Sequence, residues 1–370
     1  MAIDIYTPSM PHMVRALSTS VAMIQWSMVI YLIAMGVAEF IAGVVSDYYG
    51  RRWTLLISVV LFLLGSVICA CSHEILWLLI GRFIQGCGAG MQVIMTAIVS
   101  DCYHGKRLTK ITSYMSLGWS LMPILAPAVG GFLQQHFDWQ ASFLVMGVYA
   151  LIALGLAYAW LPETFPTQKR NHISLLALLG SLSQLMLNRV FIVAVMLMIL
   201  MWAVMMLFNV MTPFLFETQL GMSAQMYGMM ALIYGAAYFI GAMINVRLLK
   251  WLTVNTLITT GLWIFLLSSL WLLLTGWLQW LSLTSIMPPL LIAVASTGLV
   301  FPHCLSKAMQ QFNRAQAGIG SALMSSLIIL GTAAITICTA NLQIHSQTPL
   351  ALCYTAIALF SVLLKYFYFS

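Results

Sequence analysis

Charged residues are scarce in this chain of 370 residues, which has only eight acidic and fifteen Lys or Arg side chains. Together they make up 6% of the sequence, whereas soluble globular proteins carry about 25% charged residues. At the same time 62% of the residues are apolar and the mean hydropathy is +1.00. This composition excludes a cytosolic enzyme, a nucleic-acid-binding protein and a secreted domain held together by disulfides.

Recognisable catalytic and metal-binding patterns are also missing. The seven Cys are scattered, mostly inside apolar stretches, where a thiol behaves as a small hydrophobe. Cys69, Cys71 and His73 lie close together in sequence, but residues two apart on a helix point away from each other, so we expect no metal site. We find no P-loop, HExxH or GxSxG stretch in a usable context, so we expect neither ATP hydrolysis nor these kinds of catalysis.

Long apolar runs are what the sequence has in abundance. A helix that crosses a bilayer needs about 20 predominantly apolar residues, and a helix satisfies its own backbone polar groups in lipid. We therefore predict an all-α integral membrane protein with eleven full spans. Their predicted bounds are 24–45, 54–71, 75–99, 111–133, 140–160, 190–213, 225–246, 253–275, 281–303, 317–340 and 349–369.

The basic residues crowd into alternate connections between these spans, and the opposite connections hold only Arg15. Since Lys and Arg accumulate in cytoplasmic loops, this asymmetry predicts that the basic connections and the C-terminus lie in the cytoplasm. The basic connections hold Arg51, Arg52, Lys106, Arg107, Lys110, Lys169, Arg170, Arg189, Arg247, Lys250, Lys307 and Arg314.

A repeated stretch indicates two related halves. GVVSDYYGRRW at 43–53 and GAMINVRLLKW at 241–251 each follow a predicted span, and Asp47 of the first corresponds to Asn245 of the second. We predict helical halves at 1–160 and 190–370, joined by a cytoplasmic linker at 161–189. Within that linker, residues 173–187 have the pattern of an interfacial helix.

Two halves of six helices, a recurrent transporter plan, need one more helix ahead of residue 24. One interpretation is a protein of eleven spans with its N-terminus outside. We favour the other, in which the segment MAIDIYTPSMP is the outer end of a truncated first helix. The DNA just upstream is then expected to encode about 15 to 20 further apolar residues in frame.

Several motifs resemble those of the major facilitator superfamily, its drug/proton antiporter branch, and within that branch the Bcr/CflA group of drug-resistance exporters. The sequence departs from the group in having Ala126 before Pro127 where Gly is usual, and Glu39 where Gln is expected. The motifs that carry the resemblance are GVVSDYYGRR (43–52), LLIGRFIQGCGAG (78–90), APAVGG (126–131), DIYTPSMP (4–11), AIVSDCYHGKRLTK (97–110) and LPET (161–164).

The resemblance implies a proton-coupled secondary transporter that exports small amphipathic or aromatic compounds by alternating access. It implies a monomer in the bacterial inner membrane that acts on a small molecule, uses the proton gradient without a cofactor, and is not an enzyme. The alternatives are an importer or facilitator of a small metabolite and, less favoured, an integral-membrane enzyme that modifies lipids. Such an enzyme would need a cluster of polar catalytic residues at the membrane interface.

The resemblance also implies a conformational latch at the cytoplasmic edge. In this arrangement Asp47 faces the start of the helix at Ala317 and Gly318, and Arg51 pairs with an acid at the end of the fourth helix, here Asp101. The residues alone are equally compatible with an ordinary positive-inside loop. The latch consists of Gly43, Asp47, Gly50, Arg51, Arg52 and Asp101.

Three ionisable residues fall inside the first-half spans or at their outer end, where an unpaired charge is costly. Glu39 and Asp4 are candidate proton carriers, and Arg82 is the candidate that biases their protonation. The simpler alternatives are a protonated packing residue for Glu39, a helix-end cap for Asp4 and an arginine tied to backbone carbonyls for Arg82.

Two further groups of residues are candidates for a helix kink and for a substrate cavity. Prolines and glycines in the span predicted at 111–133, the fifth helix when the truncated first one is counted, predict a bent helix, and the resemblance implies that the bend seals the pore. These residues are Pro123, Pro127, Gly130 and Gly131. Interior aromatic and amide side chains are candidates to line a substrate cavity, although for any one of them helix packing is the favoured role. They are Trp26, Tyr31, Trp119, Trp202, Phe208, Asn209, Tyr234 and Tyr238.

Overall fold

The computed structural model describes residues 2–164, 183–312, 317–340 and 342–368, and within these ranges the regular structure is helical. After a short 3-10 helix at Thr7–Ser9, the chain forms a series of helices, of which the first has only two turns. They are α1 (Met10–Ala16), α2 (Val21–Tyr49), α3 (Arg51–Ala70), α4 (Ile75–Ala89), α5 (Met91–Cys102), α6 (Gly105–His136), α7 (Gln140–Trp160), α8 (Arg189–Pro213), a π-helix (Phe214–Gln219), α9 (Ala224–Leu248), α10 (Val254–Trp277), α11 (Leu283–Met309), α12 (Ala317–Thr339) and α13 (Thr348–Tyr368).

Eleven helical segments among the described residues are long and apolar enough to cross a membrane, which confirms the predicted fold class and number of full spans. α4 and α5 together form one span, and so do α8 and the π-helix. Several helices extend beyond their apolar runs, because polar residues at the ends supply caps. α2, for example, begins earlier than predicted, since the Ser20 hydroxyl accepts a hydrogen bond from the amide of Met23.

A single glycine separates α2 from α3. Gly50 has a φ of +105°, a backbone conformation that side-chain-bearing residues rarely adopt. Because α3 starts at the next residue, Arg51, the chain reverses direction without a loop. This sharp turn fixes the position of the two arginines at the basic edge, which is our name for the edge of the bundle that carries the basic connections.

The helices of the first half approach one another closely through glycines. α4 packs against both α2 and α3. A β carbon at Gly86 would overlap the Tyr31 carbonyl, and one at Gly88 would overlap the backbone of Phe62. Small residues at these crossings bring the backbones together, as is usual between membrane helices.

The two predicted halves meet along two pairs of helices, α2 with α12 and α6 with α9. On the first pair, Gly36 lies against the side chain of Leu330. On the second pair, Gly228 lies against the carbonyl of Pro127. The division of the chain at 161–189 stays a prediction. Residues 165–182, with most of the predicted interfacial helix, lie outside the described residues, and residues 183–187 are helical.

The segment that precedes α2 lies where the two halves meet. Its 3-10 helix packs against α6, α8 and α9. Ile5, Tyr6, Met10 and Met13 are each fully buried there. A short apolar segment at the N-terminal end of the chain therefore contributes to the core of the whole bundle.

Two glycines of α6 offer a matched test of this packing. A β carbon at Gly130 would overlap the carbonyl oxygen of Ile5, whereas one at Gly118 would meet no atom within 4 Å. We expect Gly130→Ala to destabilise the protein by about 1 to 3 kcal/mol through overpacking. Gly118→Ala should be neutral or stabilise by up to about 1 kcal/mol, because alanine favours helix more than glycine does.

The measurement is the thermal unfolding temperature of each purified variant in the same detergent. Equal unfolding temperatures for the two variants would show that the N-terminal segment does not pack on α6 as described.

Candidate functional site

Arg82, in the middle of α4, is fully buried. Its Nη1 donates hydrogen bonds to Oε1 of Gln85 at 2.5 Å and to the carbonyl of Ala2 at 3.2 Å, and its Nε donates to the carbonyl of Ser27 at 3.4 Å. Its Nη2 has no hydrogen-bond partner among the described residues. The guanidinium is thus held mainly by neutral oxygens.

Two aromatic rings flank the same guanidinium. Its Cζ lies 4.1 Å from the ring centroid of Tyr31 and 4.6 Å from that of Tyr6. A cation–π contact of this kind contributes up to about 2 kcal/mol when it is desolvated. The arrangement connects the N-terminal segment, α2 and α4 through one positive charge. These contacts agree with the alternative in which Arg82 is bound to backbone carbonyls. The two aromatic rings are partners that this alternative did not include.

Gln85 extends the network into α3 and α7. Its Nε2 donates to Oγ of Ser66 at 2.8 Å and lies 3.6 Å from Sδ of Met146. Ser66 in turn donates to the carbonyl of Phe62. Sequence reasoning missed Gln85. The available signal was a lone amide three residues after Arg82, and therefore on the same face of the same helix.

Glu39 is buried away from this network, with 1% of its surface exposed, and its Oε2 has no hydrogen-bond partner in the described part of the chain. It shares a face of α2 with Gly36 and Gly43, since residues three and four apart are neighbours on a helix. Both glycines contact α12: Gly36 accepts a hydrogen bond at its carbonyl from Ser326, and Gly43 lies against Ala322. Glu39 therefore lies at a contact surface between the two halves.

Asp4 lies at another contact between the halves. Its Oδ1 accepts a hydrogen bond of 3.0 Å from Nδ2 of Asn209 in α8. The neighbouring residue Val210 accepts a second bond across the halves, from Nε2 of Gln25 at 3.3 Å. Thr7 bonds to the backbone carbonyl of Asp4, not to its carboxylate. The Asp4 side chain therefore joins the halves, which differs from a role as a helix-end cap.

At the basic edge, Arg51 contacts acidic residues from three parts of the chain. Its Nη1 lies 2.5 Å from Oδ1 of Asp47 and its Nε lies 3.1 Å from Oδ2 of Asp101. Its backbone amide donates to Glu163, which lies after α7. Arg52 makes a weaker set of contacts, donating to the carbonyl of Tyr158. The structure thus contains the predicted pair of Arg51 and Asp101, while the latch role of these residues stays a prediction.

At the corresponding place in the second half, Asn245 stands where the first half has Asp47. Oδ1 of Asn245 lies 2.8 Å from Nε2 of His303 in α11, and Nζ of Lys307 donates to Oδ1 of Asn255 at 2.7 Å. In the alignment of the two repeated stretches, Asn245 is equivalent to Asp47. The predicted approach of Asp47 to the start of α12 at Ala317 stays a prediction.

The predicted cavity residues lie in several different places. Tyr31 stacks on Arg82 and Asn209 binds Asp4, so both belong to the polar contacts above. The rings of Phe208 and Tyr234 stack on each other at 3.7 Å, inside the second half. The others are Trp202, beside Phe301, the half-buried Trp26 and Tyr238, and the exposed Trp119. Their role in binding a substrate stays a prediction.

The predicted kink motif lies inside α6, which continues as a helix through Pro123 and Pro127 to His136. Its glycines are contact points. Gly130 faces Ile5, and Gly131 faces the carbonyl of Ala224 in α9. This stretch of α6 therefore touches both the N-terminal segment and the second half. Its role as a seal stays a prediction.

These features describe a membrane protein of two helical bundles that meet along two helix pairs, with buried ionisable groups at the contacts. Solved structures share this fold. The chain superimposes on the crystal structure of a D-xylose-proton symporter with a TM-score of 0.81 and 17% identity, over 99% of this chain and 94% of that one. It superimposes on the human organic anion transporter MFSD10 with a TM-score of 0.63 and 19% identity, over 98% and 88%.

Sequence relatives agree with this class. The chain is 27% identical to Multidrug resistance protein D of Escherichia coli strain K12, over 98% of this chain and 91% of that protein. It is 28% identical to the uncharacterized MFS-type transporter YdgK of Bacillus subtilis strain 168, over 89% and 82%. It is 34% identical to Multidrug resistance protein MdtL of Klebsiella pneumoniae strain 342, over 45% and 42%.

The family model of the Major Facilitator Superfamily matches residues 1–336. The chain therefore belongs to the major facilitator superfamily, and the resemblance seen in its motifs is confirmed. As a member of this family of transporters, it is a protein of many membrane spans that acts on a small-molecule substrate in a bilayer.

Adjacent arginines allow a sharp test of the predicted latch. Arg51→Ala removes the side-chain contacts to Asp47, Asp101 and Ser46, and we expect it to destabilise the protein by about 1 to 3 kcal/mol, the usual range for bonds to charged groups. Arg52→Ala removes one side-chain hydrogen bond and should cost less. The readouts are the unfolding temperature in detergent and the transport rate in vesicles. If both variants match the wild type in transport, the cluster determines topology and is not a latch.

Proposed function

We propose that this protein is a proton-coupled secondary transporter that exports small amphipathic or aromatic compounds by alternating access. It uses the proton gradient without a bound cofactor, works as a monomer in the bacterial inner membrane with its C-terminus in the cytoplasm, and is not an enzyme. Relatives named as multidrug resistance proteins support export of drugs. The observation that carries the coupling is that Asp4 and Glu39 are both buried at contacts between the two halves.

A carboxyl group at a surface that opens during the cycle experiences two environments. When the surface is closed, a carboxyl without a partner is costly in its charged form, and the neutral form is favoured. When the surface opens to water, the charged form is hydrated and the proton can leave. The two facing states then have different proton affinities, which is the condition for a proton gradient to drive the conformational change.

Glu39 meets this condition more completely than Asp4 does. Asp4 has the amide of Asn209 as a partner, whereas Oε2 of Glu39 has no hydrogen-bond partner among the described residues. Arg82 does not pair with Glu39; its contacts are with Gln85, Ala2 and Ser27. In this proposal Arg82 keeps α2, α4 and the N-terminal segment together while the interface beside Glu39 opens.

The packing of the halves supports a conformation that is closed at the edge opposite the basic one. The bonds from Asp4 to Asn209 and from Gln25 to Val210 join the halves there. Towards the basic edge, the paired helices α6 and α9 have exposed side chains, including Tyr114, Trp119 and Val246. With the basic edge in the cytoplasm, this is a state that is closed to the outside.

An importer or a facilitator would have the same fold, so the test has to measure direction and coupling. Inverted membrane vesicles containing the protein should accumulate a fluorescent amphipathic dye such as ethidium when a pH gradient, acid inside, is imposed. An uncoupler should abolish the accumulation. Dye movement that is unaffected by the uncoupler would indicate a facilitator, and accumulation only in vesicles of the native orientation would indicate an importer.

Substitutions at the buried charges test the assignment of the proton carrier. We expect Glu39→Gln to retain the fold and dye binding and to lose transport driven by the pH gradient, because an amide cannot carry a proton. Arg82→Lys should also lose transport, since an ammonium group does not reproduce the planar stack between two rings. The matched control is Glu74→Gln, which changes an exposed acid just before α4.

Binding is measured in detergent and transport in vesicles, so that a folding defect is separated from a coupling defect. If Glu39→Gln and Asp4→Asn both transport the dye at the wild-type rate, neither of these carboxyls carries the proton.

A further inference from the structure

A third buried carboxylate, Glu217, lies in the π-helix at the end of α8. Its side chain is 4% exposed, and neither of its carboxylate oxygens has a hydrogen-bond partner among the described residues. Nε2 of His12 lies 3.5 Å from Oε2. His12 belongs to α1, so this contact connects the N-terminal segment to the second half.

The backbone around Glu217 is itself unusual. Residues Phe214–Gln219 form a π-helix, which is a wider turn than an α-helix. Such turns are rare in proteins, and those that occur are often found at functional sites. The hydroxyl of Thr218 donates a hydrogen bond to the carbonyl of Phe214, four residues earlier in the same turn. The turn directs Glu217 into a cavity of about 700 Å³ at the edge opposite the basic one.

Both halves contribute to the walls of this cavity. His12 and Arg15 come from α1, Gln135 from the end of α6, and Met222 and Ala224 from the start of the second half's next helix. An outward-opening movement that separates the halves must therefore pull these walls apart. The contact between His12 and Glu217 would break in the same movement.

The charged and titratable groups that face Glu217 define what the site can bind. His12 and Arg15 face it from α1, and the phenol of Tyr227 faces it from α9. The wall residue from α6 is the neutral Gln135, and the one from α2 is Val21. Two basic groups repel an organic cation from this carboxylate. Burial of the carboxylate favours its neutral form, so a proton is the ligand that this site takes.

We infer that His12 and Glu217 form a proton-operated contact that closes the two halves at this edge, with Glu217 as a proton-binding site accessible from outside. In the closed state the pair carries one proton, and the attraction between the two groups across 3.5 Å joins the halves. A second proton leaves a neutral carboxyl beside two cations, so the attraction is lost and opening is favoured. The inference rests on the proposed function for the identity of the outer side.

Hydrogen–deuterium exchange of the purified full-length protein tests the contact without any substrate. Amides in residues 10–20 and 214–228 are compared at pH 7.5 and pH 5.5, after correction for the pH dependence of intrinsic exchange. The wild type should lose protection in both segments at pH 5.5. Glu217→Gln and His12→Gln should have reduced protection at both pH values and no remaining pH dependence.

Glu74→Gln is again the matched control, because Glu74 is an exposed acid next to a histidine, His73, on the first half alone. It should behave as the wild type does. Protection that is independent of pH in the wild type, or a wild-type pH dependence in Glu217→Gln, would overturn the inference.

The exchange result and the vesicle result distinguish this inference from the proposed function. If proton-driven dye transport is observed and exchange is independent of pH, the contact is not proton-operated and the transport proposal stands. If exchange follows the expected pattern and no proton-driven transport is observed, the contact is proton-operated and the transport proposal fails.

Discussion

The burial of one guanidinium is the constraint on which the first half depends. Arg82 is always charged and fully buried, in a protein where only 6% of the residues are charged. The first half holds this charge with carbonyl oxygens, one amide and the rings of Tyr6 and Tyr31. Because these groups come from the N-terminal segment, α2 and α4, any displacement of one element leaves the cation less well satisfied. The charge therefore adds to the close glycine contacts in fixing the relative positions of three elements.

A rigid first half has a consequence for the other buried ionisable groups. Glu39, Asp4 and Glu217 all lie at contacts that join that half or the N-terminal segment to the second half. Movement of two rigid bodies concentrates the change of environment at their interface, so in the proposed cycle we expect these acids to be the ones whose protonation is sensitive to conformation. Arg82 is inside one body and is shielded from that change. The distribution of charge thus separates a structural cation from the acids at the interface.

Much of this arrangement could be predicted from the sequence, because it depends on local features of the chain. The spans follow from apolar length, and the pair of Arg51 and Asp101 is implied by the resemblance of the motifs around both residues to those of the family. The partners of Arg82 were harder to predict from the sequence. Gln85 is one turn away and was recognisable in principle, but Tyr6 and Ala2 reach Arg82 only through tertiary packing. Glu217 was missed because it ends an apolar run like any interfacial acid, and its burial depends on a π-helix that periodicity does not reveal.

The repeat shows where the two halves have diverged. At the basic edge the first half has an ionic cluster around Arg51, whereas the equivalent Asn245 of the second half bonds to His303. An ion pair that is partly exposed weakens with salt and can exchange partners, while a buried amide and imidazole have few alternatives. Sequence symmetry therefore does not produce two equivalent contacts at the basic edge. The ionic cluster around Arg51 is on the half that also carries Arg82, and the contact between Asn245 and His303 is on the half that supplies Asn209 and Glu217.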